Sequence, residues 1–325
     1  MSDLTYRPLA AGEFDLFHAY PIPPAPGIDQ RSRSFDQDVA AGRYRPEWTW
    51  VALRDDKVVA RAAFWGPPEA SYPYLLDRFD PGVGPDRTVV GAGLLRAAYA
   101  ALADPDRLAT PDGSPPPQPA AGRPEYHLFL PAGWRDRADA RSYATDRITA
   151  AEHAGLRHFV QRLNLRWTPT DGLPPRSTRL RFAAADDAQT VEVLDRICVN
   201  TLDAYARRDV ARHGRRRAAE LTLEEFAELP SPRHWWRVAY DRTGDLVGIV
   251  VPTYSPVSAT IAYLGVVPEH RGNHYSDDLV VEALHIFTDA GYTRVDDATD
   301  VGNHPMAAAF ARVGYQVVGH RVVMT

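Results

Sequence analysis

Residues 259–276 read ATIAYLGVVPEHRGNHYS. Ala259 to Val267 is an apolar, β-branched run, the pattern of a buried strand. Pro268 cannot donate to a sheet ladder and stops it. Arg271-Gly272-Asn273 makes a short polar loop. From Ser276, a suitable helix N-cap, the spacing changes. Leu279, Val280, Ala283, Leu284 and Phe287 fall on one helical face, and Gly291 closes the helix. Strand, short glycine-containing loop and helix N-terminus together make an anion site. The first turn of a helix carries unpaired N–H groups and a partial positive charge, so a pyrophosphate there meets several donors at once. Arg271 would add a full positive charge beside them.

Outward from this stretch, Thr293 to Asp300 reads as another strand. Asn303-His304-Pro305-Met306 opens a further helix, with Pro305 in its first turn. Met306, Ala307, Phe310 and Val313 form its apolar face, Gly314-Tyr315 ends it, and a last strand runs to Met324. Alternation along the strand puts Asp296 and Asp300 on one face and Asp297 on the other with Thr299.

This order of elements resembles the GNAT acetyltransferase family. Val266-Val267-Pro268 stands where members end a strand in V-x-P. Arg271-Gly272-Asn273-His274-Tyr275-Ser276 stands at the phosphate loop, and Asn303 and Gly314-Tyr315 supply the later elements. The resemblance covers about residues 178–325. It implies acetyl-coenzyme A (coenzyme A) as acyl donor. The backbone of Leu264, Gly265 and Val266 would pair with the pantetheine amides. N–H groups of Gly272, Asn273, His274, Tyr275, Ser276 and Asp277 would hold the pyrophosphate. Asn303 and Phe310 would lie along the pantetheine arm, and a backbone N–H near Val266 would polarise the thioester carbonyl.

Two positions depart from the family pattern. His274 and Ser276 replace small residues of the phosphate loop, which narrows the backbone angles open to it. Phe310 stands where many members carry the tyrosine that returns a proton to the thiolate. Tyr315 and His304 are the neighbouring groups that could serve instead. An amine acceptor arrives protonated and needs a base. Asp300 is placed first because it precedes the helix carrying Asn303, followed by Asp297, Tyr254 and Tyr263. Arg207, Arg208, Arg212, Arg215, Arg216 and Arg217 form a basic run that reads as a solvated face, or as a contact for an anionic acceptor.

The whole chain repeats this plan. Its 325 residues suffice for two domains. Thr49 to Leu53 and Lys57 to Phe64 flank an Asp-rich turn, as Trp235 to Tyr240 and Leu246 to Pro252 do later. His158 to Trp167 closes the first half as Tyr315 to Met324 closes the second. Proline-rich segments at Pro21–Pro26, Pro105–Pro124 and Pro169–Pro175 read as loops. The expected fold is α/β, an α+β mixed sheet, with two GNAT-like domains in tandem: a degenerate copy at 1–172 and a cofactor-binding domain at 173–325. Gly91-Ala92-Gly93 before a helical stretch faintly echoes the phosphate loop, without the V-x-P strand end. The first half would wall the acceptor pocket or supply a homodimer surface.

Composition excludes other classes. Net charge is −5, with 45% hydrophobic residues, so the chain is not expected to bind nucleic acid. A single cysteine, Cys198, allows no internal disulfide, and no Cys/His cluster has zinc spacing. The N-terminus does not read as a signal peptide, and no apolar run nears the roughly 18 residues of a membrane helix. A cytoplasmic N-acetyltransferase acting on a small-molecule amine is the expectation. The alternatives are a non-catalytic binding or regulatory module of the same fold, or an acetyltransferase resembling mycothiol synthase, whose tandem layout and length are similar.

Overall fold

The computed structural model describes residues 4–20, 34–103, 123–255 and 258–325. These residues form two compact units. Unit 1 comprises Met1–Val160 with Gly319–Thr325, and unit 2 comprises Gln161–Val318.

In unit 1, β1 (Leu4–Pro8) leads to α1 (Phe14–His18) and α2 (Phe35–Ala40). The hairpin β2 (Thr49–Arg54) and β3 (Lys57–Trp65) follows, its turn made by Asp55 and Asp56 at positive φ. Then come β4 (Leu75–Asp80), α3 (Arg87–Leu102), β5 (Glu125–Pro131) and α4 (Ala138–His153). The strand order is β1-β2-β3-β4-β5, antiparallel except for the parallel pair β4–β5. One face packs on Leu94, Leu95 and Ala98 of α3 and Ala144 and Ala151 of α4. The other packs on Phe17 and Phe35.

Unit 2 begins with β6 (His158–Trp167). Then follow β7 (Arg181–Ala183), α5 (Asp187–Ile197), α6 (Ala204–His213), α7 (Arg215–Ala227), β8 (Arg237–Tyr240), β9 (Leu246–Tyr254), β10 (Ala259–Val266), α8 (Tyr275–Asp289), β11 (Val295–Asp300) and α9 (His304–Arg312); β12 (Gln316–Met324) follows them in the chain, and from Gly319 it belongs to unit 1. Its sheet runs β6-β11-β10-β9-β8-β7. Only β10–β11 is parallel, the crossover being α8. The predicted stripe of α8 is fully buried on one face of the sheet, with Phe310 and Val313 of α9 beside it. Each such side chain contributes roughly 1.5–3 kcal/mol. Val191, Leu194 and Ile197 of α5 and Phe226 of α7 cover the opposite face.

The strands that close the two sequence halves have exchanged sheets. β6 pairs with β11, with Arg162 opposite Asp300 and Trp167 opposite Val295. β12 pairs with β5, with Gly319 opposite Pro131 and Met324 opposite Tyr126. The bounds therefore differ from the expected 1–172 and 173–325 at both closing strands. The reason is physical. The halves repeat one plan, so either closing strand presents an alternating pattern that can complete either sheet.

Two of the proline-rich segments, 21–26 and most of 105–124, lie outside the described residues. Among the described residues no helix is long and apolar enough to cross a membrane. No group of three or more His, Cys, Asp or Glu side chains among them could hold a metal ion.

Candidate active site

β10 and β11 pair at Ala259 and Val295 and then part. A bulge in β10 between Ile261 and Tyr263 accompanies the parting. Before the bulge, the N–H groups of Ala259 and Ile261 point to the β11 side, donating to Arg294 O and Asp297 Oδ1. After it, Val267 N donates to Val247 O on the β9 side. The extra residue shifts the alternation by one, so the backbone groups of Leu264 and Val266 face the gap. Gly265 faces α5, where a Cβ would come within 2.6 Å of Ile197 Cγ2. The gap is part of a cleft of about 470 Å³ in unit 2.

The loop at 271–276 closes one end of this cleft. No backbone acceptor takes the N–H groups of Gly272, Asn273, His274, Tyr275 or Ser276 among the described residues. Arg179 sets their direction. Its guanidinium donates to Asn273 O at 3.0 Å and His274 O at 3.4 Å, and pairs with Asp278. A trans peptide points its C=O and N–H in opposite directions. The N–H groups of His274 and Tyr275 are thereby turned away from Arg179. The acids in the first turn of α8 are neutralised, Asp278 by Arg179 and Asp277 by Arg312 at 2.6 and 2.7 Å.

The bend in the loop needs left-handed backbone, supplied by Gly272 at φ 83° and His274 at φ 60°. For a non-glycine residue that conformation costs roughly 1–2 kcal/mol. His274, not Ser276, is the N-cap of α8; Ser276 is its second residue.

Arg271 lines the cleft, with four of its five N–H donors on backbone carbonyls. Its guanidinium donates to Ile197 O (2.8 Å), Val199 O (2.8 Å), Asn200 O (3.4 Å) and Val266 O (3.2 Å). It ties the end of α5 to the end of β10, because the last carbonyls of a helix lack partners and attract a cation.

Leu264, Gly265, Val266, Gly272, His274, Tyr275, Ser276, Asn303 and Phe310 all line the cleft. Asn273 and Asp277 do not. Asn273 turns its Nδ2 back to His270 O at 3.1 Å, and Asp277 is held by Arg312. Asn303 also caps α9, accepting from Met306 N at 3.4 Å.

None of the three expected catalytic groups lines the cleft. Asp300 is 2% exposed and accepts from Ala204 N at 2.7 Å, capping the first turn of α6. Burial, then Asp203, push its carboxyl up, while the Ala204 N–H, Arg162 and Arg207 pull it down. His304 is the exposed first residue of α9. Tyr315 is buried, and burial raises its hydroxyl well above the usual range, so it stays a donor.

The acceptor of that donor is Asp297, which does line the cleft. It receives Tyr315 Oη at 2.7 Å, Ile261 N at 2.6 Å and Thr260 Oγ1 at 3.1 Å. Burial pushes its carboxyl up to about 6, against the downward pull of these three donors. It is the one cleft carboxylate poised near neutrality, which suits a proton acceptor. Of the two tyrosines ranked behind it, Tyr254 bonds Pro230 O at 3.0 Å, whereas Tyr263 lines the cleft. Much of the basic run is held by partners: Arg207 by Leu202 O at 2.7 Å and Arg217 by Glu224 at 2.9 Å.

In unit 1 the corresponding gap is filled. β4 and β5 pair at Leu75 and Leu76. At the end of β4, Arg147 of α4 donates to Phe79 O at 2.9 Å and to Asp80, which also binds Arg61 at 2.8 Å. Arg147 stands eight residues before Gly155, as Met306 stands eight before Gly314, and Met306 lines the open cleft of unit 2. Gly91 and Gly93 lie inside α3 rather than before it. A Cβ would meet Pro81 at Gly91 and the Tyr6 hydroxyl, at 2.2 Å, at Gly93. They are packing glycines, not a phosphate loop.

Residues 200–315 match the family model described as the Acetyltransferase (GNAT) family. Among solved structures, the fold is similar to a GCN5-related N-acetyltransferase from Sphaerobacter thermophilus, with 16% identity and a TM-score of 0.57 over 99% of this chain and 94% of that one. It is also similar to a tandem GNAT protein from the clavulanic acid biosynthesis pathway, with 18% identity and a TM-score of 0.50 over 99% and 98%. A third likeness, at 15% identity and a TM-score of 0.53, is to the glucosamine N-acetyltransferase region of a fungal multi-domain β-N-acetylglucosaminidase. It covers all of this chain and 38% of that one. At such identities the likeness speaks to the fold alone. No curated protein matches the sequence.

Proposed function

From the match of residues 200–315 to the GNAT acetyltransferase family, we propose that the chain moves an acetyl group from acetyl-coenzyme A to the amine of a small molecule. The observation that carries this reading is the parting of β10 from β11, which opens unpaired strand backbone onto a loop whose N–H groups lack backbone acceptors. A long donor bearing amides and phosphates fits that surface. The amides add to β10 as a further strand would, and the phosphates sit at the start of α8. Acetyl-coenzyme A, when bound, supplies an activated acyl thioester.

The chain's own residues position and deprotonate. The backbone of Leu264 and the N–H of Val266 hold the arm, the Val266 carbonyl being taken by Arg271, and Phe310 and Met306 give it an apolar wall. Asp297 takes the proton that the amine loses as it attacks the thioester carbon; the C–N bond forms, the C–S bond breaks, and coenzyme A leaves as its thiolate. The sign follows from its raised pKa. Below about 6 the Asp297 carboxyl is protonated and cannot accept; above that it is ionised and can. Turnover therefore rises with pH through about 6 and then levels off.

The test is acetyl transfer to a panel of small amines, with acetyl-coenzyme A affinity measured in parallel by calorimetry. Asp297→Asn should lower kcat roughly 100-fold, flatten the pH profile and leave donor affinity unchanged. A limb near pH 6 that survives in Asp297→Asn removes the residue from the mechanism. Donor binding with no transfer to any amine would favour the non-catalytic module.

A further inference from the structure

We infer that the acceptor amine also carries an anionic group, a carboxylate or a phosphate, and that Arg162 binds it. This rests on the acetyl-transfer reading of the same cleft.

The cleft meets both faces of the unit 2 sheet. The loop at 271–276 and Met306 and Phe310 lie on the side of α8 and α9. The connector Asn200 to Asp203 lies on the side of α5 and α6. With the donor's phosphates at α8, the acceptor enters past this connector. Most charged groups there are already engaged. Asp203 accepts from Ala206 N at 2.8 Å, Asp300 from Ala204 N at 2.7 Å, and Arg271 spends its donors on four carbonyls.

Arg162 is engaged only in part. It lines the cleft, and its side chain is 19% exposed. One Nη donates to Ala298 O at 3.1 Å. Its Nε lies 3.2 Å from Asp300 Oδ1. The two form a buried ion pair that is not aligned as a hydrogen bond, while Nη1 takes no acceptor among the described residues. The ring of Tyr205 flanks the guanidinium, 5.7 Å from Cζ to centroid.

A guanidinium that lines a cleft with Nη1 donors unused can take a further acceptor from a ligand. A carboxylate or phosphate oxygen meets a guanidinium with paired, charge-assisted hydrogen bonds. An uncharged acceptor can hydrogen-bond to it but lacks the attraction between opposite charges. A dication is disfavoured because the nearby carboxylates already serve backbone N–H groups. In the β11 register Arg162 lies opposite Asp300, three residues beyond Asp297. That is a backbone separation of roughly 10 Å, which the long Arg162 side chain can shorten. One small molecule can thus present its amine to Asp297 and its anion to Arg162.

Two matched pairs test this: L-lysine against 1,5-diaminopentane, and glucosamine 6-phosphate against glucosamine. Each is measured by direct calorimetric binding and by acetyl transfer. At least one anionic member should bind and react about 10-fold or more better than its uncharged twin, and which pair responds separates carboxylate from phosphate. Arg162→Gln should raise KM for that member about 10- to 100-fold while leaving its twin and donor affinity unchanged; Arg162→Lys should retain part of the preference. No preference in either pair, or a preference that survives Arg162→Gln, overturns the proposal. Loss of the donor reading would show separately, as wild-type protein that fails to bind acetyl-coenzyme A.

Discussion

Asp297 and Tyr315 share a proton donor and an acceptor inside the protein, and their roles follow from which one ionises. Tyr315 is held neutral by burial, so its hydroxyl steadies the charged form of Asp297. Tyr315 is a positioning residue. In Tyr315→Phe the ionised carboxylate loses one of three donors, so its pKa rises further. The ascending limb of the pH profile should move to higher pH by roughly one unit, with donor affinity unaltered. A limb that stays in place would show that the hydroxyl does not bear on the proton transfer. Sequence periodicity separates Asp297 from Asp300 by strand face, but it does not say which of the two carboxyls reaches the cleft. Asp300 ranks first by nearness to Asn303. In the fold it is spent on the N-terminus of α6, a contact between residues 96 apart in the chain.

At the scale of elements, the loop between β10 and α8 depends on a residue far from it in sequence. Arg179 grips two loop carbonyls and one first-turn acid. Arg179→Ala should release the carbonyls and leave Asp278 uncompensated beside the donor's phosphates. We expect acetyl-coenzyme A affinity to fall about 5- to 10-fold by calorimetry. Thermal stability should change little, because the Arg179 side chain is 46% exposed. Undiminished affinity would mean the loop holds its shape unaided. The strand, loop and helix themselves are legible locally: Pro268 stops the strand, and the apolar spacing from Leu279 sets the buried face of α8. The fate of Arg271 is not, because its acceptors at Ile197, Val199 and Asn200 come from another helix end.

Across the whole molecule the two units share a plan but not a site. The gap beside β4 is occupied by Arg147, tied to Phe79 O and Asp80. In a buried position such an ion pair is costly to disrupt, so a ligand cannot displace it readily. Calorimetry should therefore give one acetyl-coenzyme A per chain. Two equivalent sites would refute the view that unit 1 is filled. The sequence alone determined what is local: the strand–loop–helix, the positions of the elements, and the repetition of one plan. Tertiary structure decided which closing strand completes which sheet, that Arg271 serves carbonyls, and that Asp297 rather than Asp300 meets the cleft. Secondary structure is set by spacing over a few residues. A side chain's hydrogen-bond partner, or a strand's neighbour, is chosen among groups brought close from 70 to 136 residues away, as in Arg271 with Ile197 and Arg162 with Ala298.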